Sequence, residues 1–276
     1  MEIKKKFFCG IPIYNPTEKQ IANIEIYARI FSKLYIYDNS DNIEKYYLKT
    51  LEENPGISYI STGNNDGLSR AYNEMCGAAL KDGADYLAIY DQDTEPSEKY
   101  IRILMDYIER DTKSVAVYGP KIIKSDGEKA EDKAVEVDVL ISSGSFLNLD
   151  IYKKTPGFDE ALFIDNVDDD YCLAARKLGF KIIEVRRALL LHKIGEHKKF
   201  LWKIIEEHSP LRMYYIIRNT LYLYKKYDMG KLKSLGWFLG KIRHVALYES
   251  EKLSKLKMMI KGAGDFCRGK MGKYEK

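Results

Sequence analysis

The chain has 276 residues, of which 45% are hydrophobic and 31% are charged, and its formal net charge is +4. This composition excludes a wholly disordered chain, and the length suits one large domain or one domain with an appendage. The cysteines Cys9, Cys76, Cys172 and Cys267 are scattered, which argues against a zinc site or a disulfide framework and favours a reducing compartment. We find no secretory leader pattern and no apolar run of about 18 residues, so we expect a cytoplasmic protein without a membrane span.

The first 110 residues alternate between strand and helix patterns. Periodicity and turn residues predict strands at 7–13, 33–37, 57–61 and 86–90, and helices at 18–31, 43–54, 67–81 and 96–110. This alternation predicts an α/β fold with a mostly parallel central sheet flanked by helices. Ligands of such sheets bind beyond the carboxyl ends of the strands.

The pattern changes after residue 114. Strands are predicted at 115–118, 135–140, 144–149 and 181–185, a short helix at 168–178, and helical structure from 201 to near the end. We therefore expect one domain over residues 1–205 and a C-terminal helical extension over 206–276. From Gly230 to Lys276 there are twelve Lys or Arg against four Asp or Glu, so the extension is basic and the rest of the chain is net acidic.

Short polar side chains follow each of the first four predicted strands, namely Asn15, Asp38-Asn39-Ser40, Asn65-Asp66-Gly67 and Asp91-Gln92-Asp93. Because parallel strands end at one edge of a sheet, we expect these side chains to share a ligand site. Asp91 and Asp93 are hard oxygen ligands that suit Mg²⁺ and can hold a metal-bound diphosphate. An isolated Asp-x-Asp more often caps a turn, but the apolar strand before this one favours the metal site.

Two residues near the third strand end are further candidates. Gly67 lets the backbone pass close to a ligand where a helix begins, and Asn73 lies two helical turns later. An ordinary glycine-containing turn followed by a solvated Asn is an equally good interpretation.

An acidic cluster stands at residues 165–170, where four of six positions are Asp. Repulsion between like charges raises the pKa of at least one carboxyl, which can then accept a proton from a hydroxyl. The alternative is an acidic first helical turn, which the helix dipole favours.

Three more positions have two interpretations each. Gly144, within Ser142-Ser143-Gly144-Ser145, lines a sugar pocket or forms a plain tight loop. His192 completes a metal site or is a buried core histidine. Arg218, in a helix that Ser209-Pro210 is expected to begin, pairs with phosphate or makes an ordinary salt bridge.

An apolar stripe with helical spacing lies in the basic extension, at Leu235, Phe238, Leu239, Ile242, Val245 and Ala246. A basic amphipathic helix of this kind lies on an anionic membrane surface or packs on the catalytic domain with a solvated basic face. We find no nucleic-acid-binding motif, so no nucleic-acid partner is expected.

Taken in order, these motifs resemble a GT-A glycosyltransferase of family 2. The residues that carry the resemblance are Pro12-x-Tyr14-Asn15, Asp38-Asn39-Ser40, Asn65-x-Gly67-x-x-x-Ala71-x-Asn73 and Asp91-Gln92-Asp93-Thr94. Later motifs are similar to the rhamnosyltransferase branch: Ser143-Gly144-Ser145, Pro156-Gly157-Phe158-Asp159-Glu160, Asp168-x-Asp170-Tyr171-Cys172, Arg176-x-x-Gly179, His192-x-Ile194-Gly195, Tyr214-Tyr215-x-x-Arg218-Asn219 and Lys261-Gly262-x-x-Asp265.

The resemblance implies a Rossmann-like GT-A fold and a metal-dependent, inverting transfer from a nucleoside-diphosphate sugar, with rhamnose from dTDP-rhamnose as the first expectation. It implies that Asp168 is the catalytic base, supported by Asp170 and Arg176, and that Mg²⁺ or Mn²⁺ is held by Asp91 and Asp93 with His192 nearby. The residues expected to bind the donor are Pro12, Tyr14, Asn15, Asp38, Asn65, Gly67, Asn73, Asp91, Gln92, Asp93, Gly144 and Arg218, with Asp38 on the nucleotide base.

The chain departs from the family at Val167-Asp168, where many members have Glu-Asp, so Asp165 and Asp169 stay open as alternative bases. The Gln-x-x-Arg-Trp motif of processive synthases is absent from the sequence, which favours addition of one or a few sugars. The expected acceptor is a cell-surface polysaccharide or a lipid-linked oligosaccharide, with possible peripheral membrane contact; the sequence does not predict the oligomeric state. The alternatives are another donor such as UDP-glucose or UDP-galactose and, more remotely, a sugar nucleotidyltransferase or a non-catalytic sugar-binding protein.

Overall fold

A computed structural model describes residues 4–41, 45–111, 114–123, 127–191, 196–200 and 203–275. The chain divides into two compact units. Unit 1 contains residues 1–160 and 168–192, and unit 2 contains residues 161–167 and 193–276. Unit 2 thus takes the short segment 161–167 from the middle of the chain, which the sequence did not predict. Among the described helices, none is long and apolar enough to cross a bilayer.

Unit 1 is built on an eight-stranded sheet with strand order β3-β2-β1-β4-β7-β5-β8-β6. Its strands are β1 (Phe7–Ile13), β2 (Leu34–Asp38), β3 (Ile57–Ser61), β4 (Tyr86–Ile89), β5 (Val115–Ile123), β6 (Ala134–Glu136), β7 (Ser145–Asn148) and β8 (Lys181–Leu191). Its helices are α1 (Glu18–Ile30), α2 (Lys45–Glu52), α3 (Leu68–Lys81), α4 (Glu98–Arg110), α5 (Leu149–Tyr152) and α6 (Val167–Lys177). The predicted α/β architecture is confirmed.

Strands β1, β2 and β4 are buried along their whole length, as central parallel strands covered on both faces must be. The odd-numbered residues of β1 belong to a core cluster that also contains side chains of α1, α2 and α4. Thr17 and Gln20 form a capping box that begins α1 directly after the first strand end.

The carboxyl ends of the first strands lie side by side. Ile13 of β1 is in register with Asp38 of β2, and Asp38 with Ser61 of β3. Strand β4 continues this parallel set on the other side of β1. The polar residues that follow these strands therefore share one edge of the sheet.

Strand β7 runs antiparallel to both β4 and β5, so the sheet is mixed. Ser145 at the beginning of β7 pairs with Ile89 at the end of β4. This pairing carries the preceding loop, Ser142-Ser143-Gly144, to the same edge as the parallel strand ends.

Unit 2 contains an antiparallel pair, β9 (Glu196–Phe200) and β10 (Lys203–Glu207), and three helices, α7 (Pro210–Lys226), α8 (Lys231–Tyr248) and α9 (Lys252–Cys267). The prediction of helix from residue 201 was wrong for β10. The predicted helix start is confirmed, since Ser209 caps α7 and accepts a hydrogen bond from the Arg212 N–H at 3.2 Å.

A buried ion cluster ties the end of β10 to the last two helices. Lys255 of α9 is only 1% exposed, and its Nζ lies 2.8 Å from Glu207 and 3.0 Å from Glu249. A smaller apolar core of Met213, Ile217, Val245 and Met259 joins α7, α8 and α9. Unit 2 therefore has its own apolar core and its own buried ion cluster.

Candidate active site

The triplet after β2 holds the neighbouring loops in place. The Asn39 side chain accepts from the Asp66 N–H at 2.9 Å and donates to the Gly67 carbonyl, while the Ser40 hydroxyl accepts from the Asn15 N–H at 2.8 Å. The loops after β1 and β3 are thereby fixed to the end of β2. These residues shape the edge of the sheet before any ligand binds.

Asp38 has partners that the sequence did not predict. Its exposed fraction is 0%, and its carboxylate accepts hydrogen bonds from the Tyr47 hydroxyl at 2.9 Å, the Tyr59 hydroxyl at 2.6 Å and the Ser40 N–H at 2.8 Å. In this conformation Asp38 is held by protein partners, and its direct contact with the nucleotide base stays a prediction. Of its two tyrosines, Tyr59 is the one that is only partly buried.

Asp91, Gln92 and Asp93 form the turn after β4. The Gln92 amide pairs with the Tyr14 backbone in both directions, accepting from its N–H at 2.7 Å and donating to its carbonyl at 3.1 Å. Gln92 therefore ties this turn to the loop after β1 instead of facing a ligand. Asp91 is partly exposed and Asp93 is exposed at the strand edge.

The loop before β7 connects this turn to the acidic cluster. The Ser143 hydroxyl accepts from the Asp91 N–H at 3.1 Å and lies 2.7 Å from the Thr94 hydroxyl. The adjacent Ser142 donates its N–H to the Asp168 carboxylate at 3.1 Å. One dipeptide thus separates the Asp91 turn from Asp168, which places carboxylates on both sides of it.

Asp168 lies in the first turn of α6 and is partly buried. Burial, with the nearby Asp169 charge as the second cause, raises its pKa from 3.8 to about 7, and the N–H groups of Asp169 and Ser142 oppose the rise. A carboxyl with this pKa gains and loses a proton near neutral pH, as a general base must. The raised pKa expected of the acidic cluster is found at this residue.

Asp165 and Arg176 are engaged elsewhere. Asp165 pairs with Arg212 at 3.0 Å, which opposes the rise that burial causes in its pKa, and Arg176 pairs with Asp138 at 2.7 Å. Asp165 is therefore less suited than Asp168 to accept a proton. Arg176 does not support the base in the expected way.

The cluster after β3 has mainly structural partners. Gly67 begins α3 with a φ of 85°, which favours glycine, and its N–H donates to the Asn65 side chain at 3.1 Å. The Asn73 side chain accepts from the Phe158 N–H and the Tyr152 hydroxyl and donates to the Phe158 carbonyl and Glu160. These contacts use the hydrogen-bonding capacity of Asn73 in this conformation, and its contact with the donor stays a prediction.

The remaining residues of the first loop differ in exposure. Pro12 is buried within β1, whereas Tyr14 and Asn15 are exposed where the chain leaves the sheet. Tyr14 donates its hydroxyl to Asp41 at 3.0 Å, and Asn15 has a positive φ of 45°. Tyr14 and Asn15 can therefore reach a ligand, and Pro12 can only shape the strand.

Gly144 has a φ of 82°, and its N–H donates to the Ile89 carbonyl at 2.7 Å. A Cβ at this position would lie 2.9 Å from Leu190 and 3.0 Å from Pro120. Gly144 therefore holds the loop against the end of β4, and a larger side chain does not fit there.

The expected pairing of Arg218 with phosphate does not fit the structure. His192, the other candidate of this kind, lies outside the described residues. Arg218 is 0% exposed, and its guanidinium donates to the Gly272 carbonyl at 2.7 Å and the Leu162 carbonyl at 3.2 Å. The neighbouring Asn219 donates to the Leu162, Ile164 and Asp165 carbonyls. Both residues hold the segment 161–167 within unit 2, so a phosphate does not reach Arg218.

Sequence reasoning missed Tyr72 of α3. This residue is buried, and burial raises its pKa, helped by the charges of Asp91 and Asp168 and opposed by Ser142. Tyr72 therefore lies near these three site residues. The only signal in the sequence was its position in Ala71-x-Asn73, where the middle residue was left unspecified.

The carboxylates of the turn formed by Asp91, Gln92 and Asp93 suit a hard divalent cation. Mg²⁺ is often bound by one or two carboxylates and takes its other ligands from water and substrate phosphates. Among the described residues, no group of three His, Cys, Asp or Glu side chains is arranged to hold a metal ion. Asp91 and Asp93 therefore fit a cation shared with a diphosphate better than a fully protein-bound one.

The chain is similar in sequence to known proteins. Residues 30–174, just over half of the chain, match the model of glycosyl transferase family 2. The chain is 26% identical over 281 residues to the dTDP-rhamnosyl transferase RfbF of Shigella flexneri, covering 94% of this chain and 93% of that protein.

Solved structures are similar in fold. S. aureus TarS in complex with UDP-GlcNAc is 18% identical with a TM-score of 0.58, covering 96% of this chain and 81% of that chain. GalNAc-T7 with UDP, GalNAc and Mn²⁺ is 13% identical with a TM-score of 0.60, covering 97% of this chain and 57% of that chain. These likenesses confirm the expected GT-A fold. By the family match over more than half of its length, the chain belongs to glycosyl transferase family 2.

Proposed function

We propose that this glycosyltransferase moves rhamnose from dTDP-rhamnose to an acceptor hydroxyl by a single displacement that inverts the anomeric configuration. The observation that carries the proposal is the arrangement around Ser142 and Ser143, with Asp168 on one side and the Asp91 turn on the other. A single displacement needs a base near the acceptor and a stabilised leaving group on the opposite face of the sugar.

Asp168 is the proposed base. In its ionised form it accepts the proton of the acceptor hydroxyl as the oxygen attacks the anomeric carbon. The Ser142 N–H orients the carboxylate, and the pKa of about 7 allows Asp168 to carry out this transfer near neutral pH. Asp169 lies beside Asp168, and its charge helps to keep that pKa high.

Asp91 and Asp93 are the proposed ligands of Mg²⁺ or Mn²⁺. When bound, such an ion neutralises the charge of a departing diphosphate. The chain contributes a fixed turn, because Gln92 ties it to Tyr14 and Ser143 ties it to the loop before β7. His192, an expected further ligand, remains a proposal of the sequence alone.

We propose that nucleotide recognition at the end of β2 is indirect. Asp38 holds the hydroxyls of Tyr47 and Tyr59, and the partly buried Tyr59 then faces the base. The phenol oxygen of Tyr59, which donates to Asp38, can still accept a hydrogen bond from a pyrimidine N–H. Asp38 is thus a positioning residue in this proposal.

The rhamnose donor is supported by the relative named a dTDP-rhamnosyl transferase, which matches nearly the whole chain. The acceptor we propose is a glycan or a lipid-linked glycan, as expected from the sequence resemblance.

A panel of donors tests the proposal. Release of nucleoside diphosphate is followed for dTDP-rhamnose, UDP-glucose and UDP-galactose, with and without Mg²⁺ or Mn²⁺, with Asp168→Asn as the control for catalysis. We expect metal-dependent release that is fastest from dTDP-rhamnose. Faster release from a UDP-hexose moves the assignment to that donor. If the protein neither binds nor cleaves any of these donors, the proposed function is contradicted.

A further inference from the structure

Helix α8 carries a broad apolar stripe, of which only part is packed inside unit 2. Its inner side packs into the core of unit 2 through Phe238, Ile242 and Val245. Its outer side carries Leu232, Leu235 and Leu239, which are 86%, 54% and 55% exposed. The part of the stripe that carries these leucines is left uncovered, although a solvated helix face is ordinarily polar.

The outer leucines form one continuous face. Residues 232, 235 and 239 are spaced i, i+3 and i+7, so their side chains lie along one side of the helix. The exposed residue Ala246 lies on the same side near the end of α8, with Arg243 between it and Leu239. The apolar face is therefore continuous from Leu232 to Leu239.

Charge borders the apolar face. Lys231 and Lys233 are exposed on either side of Leu232, about 100° away around the helix. Arg243 is exposed one turn after Leu239 on the same side of the helix, and α8 contains no Asp or Glu. The charged side chains of α8 itself are therefore all basic.

An apolar groove adjoins the same end of α8. Its cavity volume is about 490 Å³, and its lining includes Leu235 and Phe238 of α8, Tyr224 of α7 and Phe266 of α9. Its charged lining residues are Lys225, Asp228 and Lys231. Leu235 belongs to both the groove and the exposed face, so the two form one surface.

We propose that the outer face of α8 binds the surface of an anionic lipid bilayer. The helix lies in the plane of the interface, with the leucines among the acyl chains and the lysines at the lipid phosphates, and the groove receives one acyl chain. Exposed leucines bordered by cations on a helix without acidic residues are the chemistry that such a surface recognises.

A second copy of the chain fits this face less well. A symmetric contact through α8 would bring the basic residues Lys231, Lys233 and Arg243 of both copies into one interface without an acidic residue of α8 to pair with them, which is electrostatically unfavourable. This inference goes beyond the transfer reaction, because lipid binding is measured without donor or acceptor.

Flotation with lipid vesicles tests the inference on the full chain. Binding is measured to vesicles of phosphatidylcholine alone and to vesicles with about one third phosphatidylglycerol, at low and high salt. The variants are Leu232→Gln with Leu239→Gln and Lys231→Gln with Lys233→Gln. The matched control is Lys177→Gln with Leu178→Gln, an exposed basic and apolar pair on unit 1.

We expect binding to the anionic vesicles only, and we expect salt to weaken it. Each α8 double variant should lose at least about tenfold in vesicle affinity, and the control variant should bind as the wild type does. Circular dichroism spectra and Tm values like those of the wild type establish that the variants are folded. Equal binding to both vesicle types, or unchanged binding by the α8 variants, overturns the proposal. Dimerisation of the wild type that the leucine variant abolishes also overturns it, because the face then binds a second copy.

Discussion

Replacing Asp168 by Asn is expected to stabilise the protein while it abolishes transfer. The rise in the Asp168 pKa from 3.8 to about 7 means that the folded protein disfavours the ionised carboxylate. At about 1.36 kcal/mol per pKa unit, this costs at most about 4 kcal/mol of unfolding free energy when the group is charged. Asn keeps an oxygen that accepts the Ser142 N–H, and it never carries the charge.

The sign of the pH dependence follows from the raised pKa. Between pH 4 and pH 7 the folded protein binds the Asp168 proton more tightly than the unfolded chain does, so the stability contributed by this group falls as the pH rises. The penalty is complete above pH 7 and absent below pH 4. Asp168→Asn should therefore match the wild type near pH 4 and exceed it most at pH 8.

The assay is thermal unfolding of both proteins at several pH values between 4 and 8. With about 2–4 °C of Tm per kcal/mol for a chain of this size, the gain at pH 8 should be at least a few degrees. The control is Asp93→Asn, whose exposed side chain should leave Tm nearly unchanged. An Asp168→Asn protein that is less stable than the wild type at pH 8, or whose advantage does not grow with pH, refutes the reasoning.

Three further changes test other parts of the structure. Tyr72→Phe should lower kcat by roughly 2- to 10-fold with little change in the donor KM, because it removes a buried hydroxyl near Ser142, Asp91 and Asp168; steady-state kinetics measure both constants. Gly262→Ala should cost about 1–3 kcal/mol, since its Cβ would lie 2.6 Å from a backbone carbonyl oxygen, whereas Gly264→Ala on the same helix should be neutral or stabilising; urea unfolding compares the two. Lys255→Met should cost about 3–5 kcal/mol by leaving two buried glutamates without their cation, and the same unfolding assay measures it.

Each of these expectations has a contrary result. If Tyr72→Phe lowers kcat/KM only by raising KM, with kcat unchanged, then Tyr72 does not help to position Asp168. Equal unfolding free energies for the two glycine variants would show that α9 moves freely away from its neighbour. An unchanged midpoint for Lys255→Met would show that its ion cluster contributes nothing to stability.

Local sequence patterns predicted most of unit 1. The bounds of β1 and β3 match the structure residue for residue, because both strands are apolar or β-branched runs closed by turn residues. Strand β10 was missed because residues 201–207 contain apolar residues at spacings that also suit a helix. Their pairing with β9 depends on another segment, which local periodicity does not detect.

The location of the candidate site was predictable, but the partner of each polar residue was not. Parallel strands end at one edge, so Asn15, Asp38 and Asp91 were expected together there. Whether such a residue faces a ligand or another loop depends on contacts far along the chain. The Gln92 amide pairs with Tyr14, 78 residues away.

Tyr72 and Arg218 illustrate the same limit in opposite directions. Tyr72 looks like an ordinary apolar-face residue of α3, yet the charges of Asp91 and Asp168 help to raise its pKa. Arg218 looks like a phosphate ligand, yet backbone carbonyls of the segment 161–167 and of Gly272 take its donors. Neither environment is visible without the tertiary structure.

The central claim is that Asp91 and Asp93 serve the leaving group while Asp168 serves the acceptor. Calorimetric titration of dTDP, with and without Mn²⁺, into the wild type, Asp93→Asn and Asp168→Asn tests this division most directly. We predict that Asp93→Asn loses the Mn²⁺-dependent part of the affinity and that Asp168→Asn binds dTDP as tightly as the wild type. Mn²⁺-dependent binding that survives in Asp93→Asn and is lost in Asp168→Asn contradicts it.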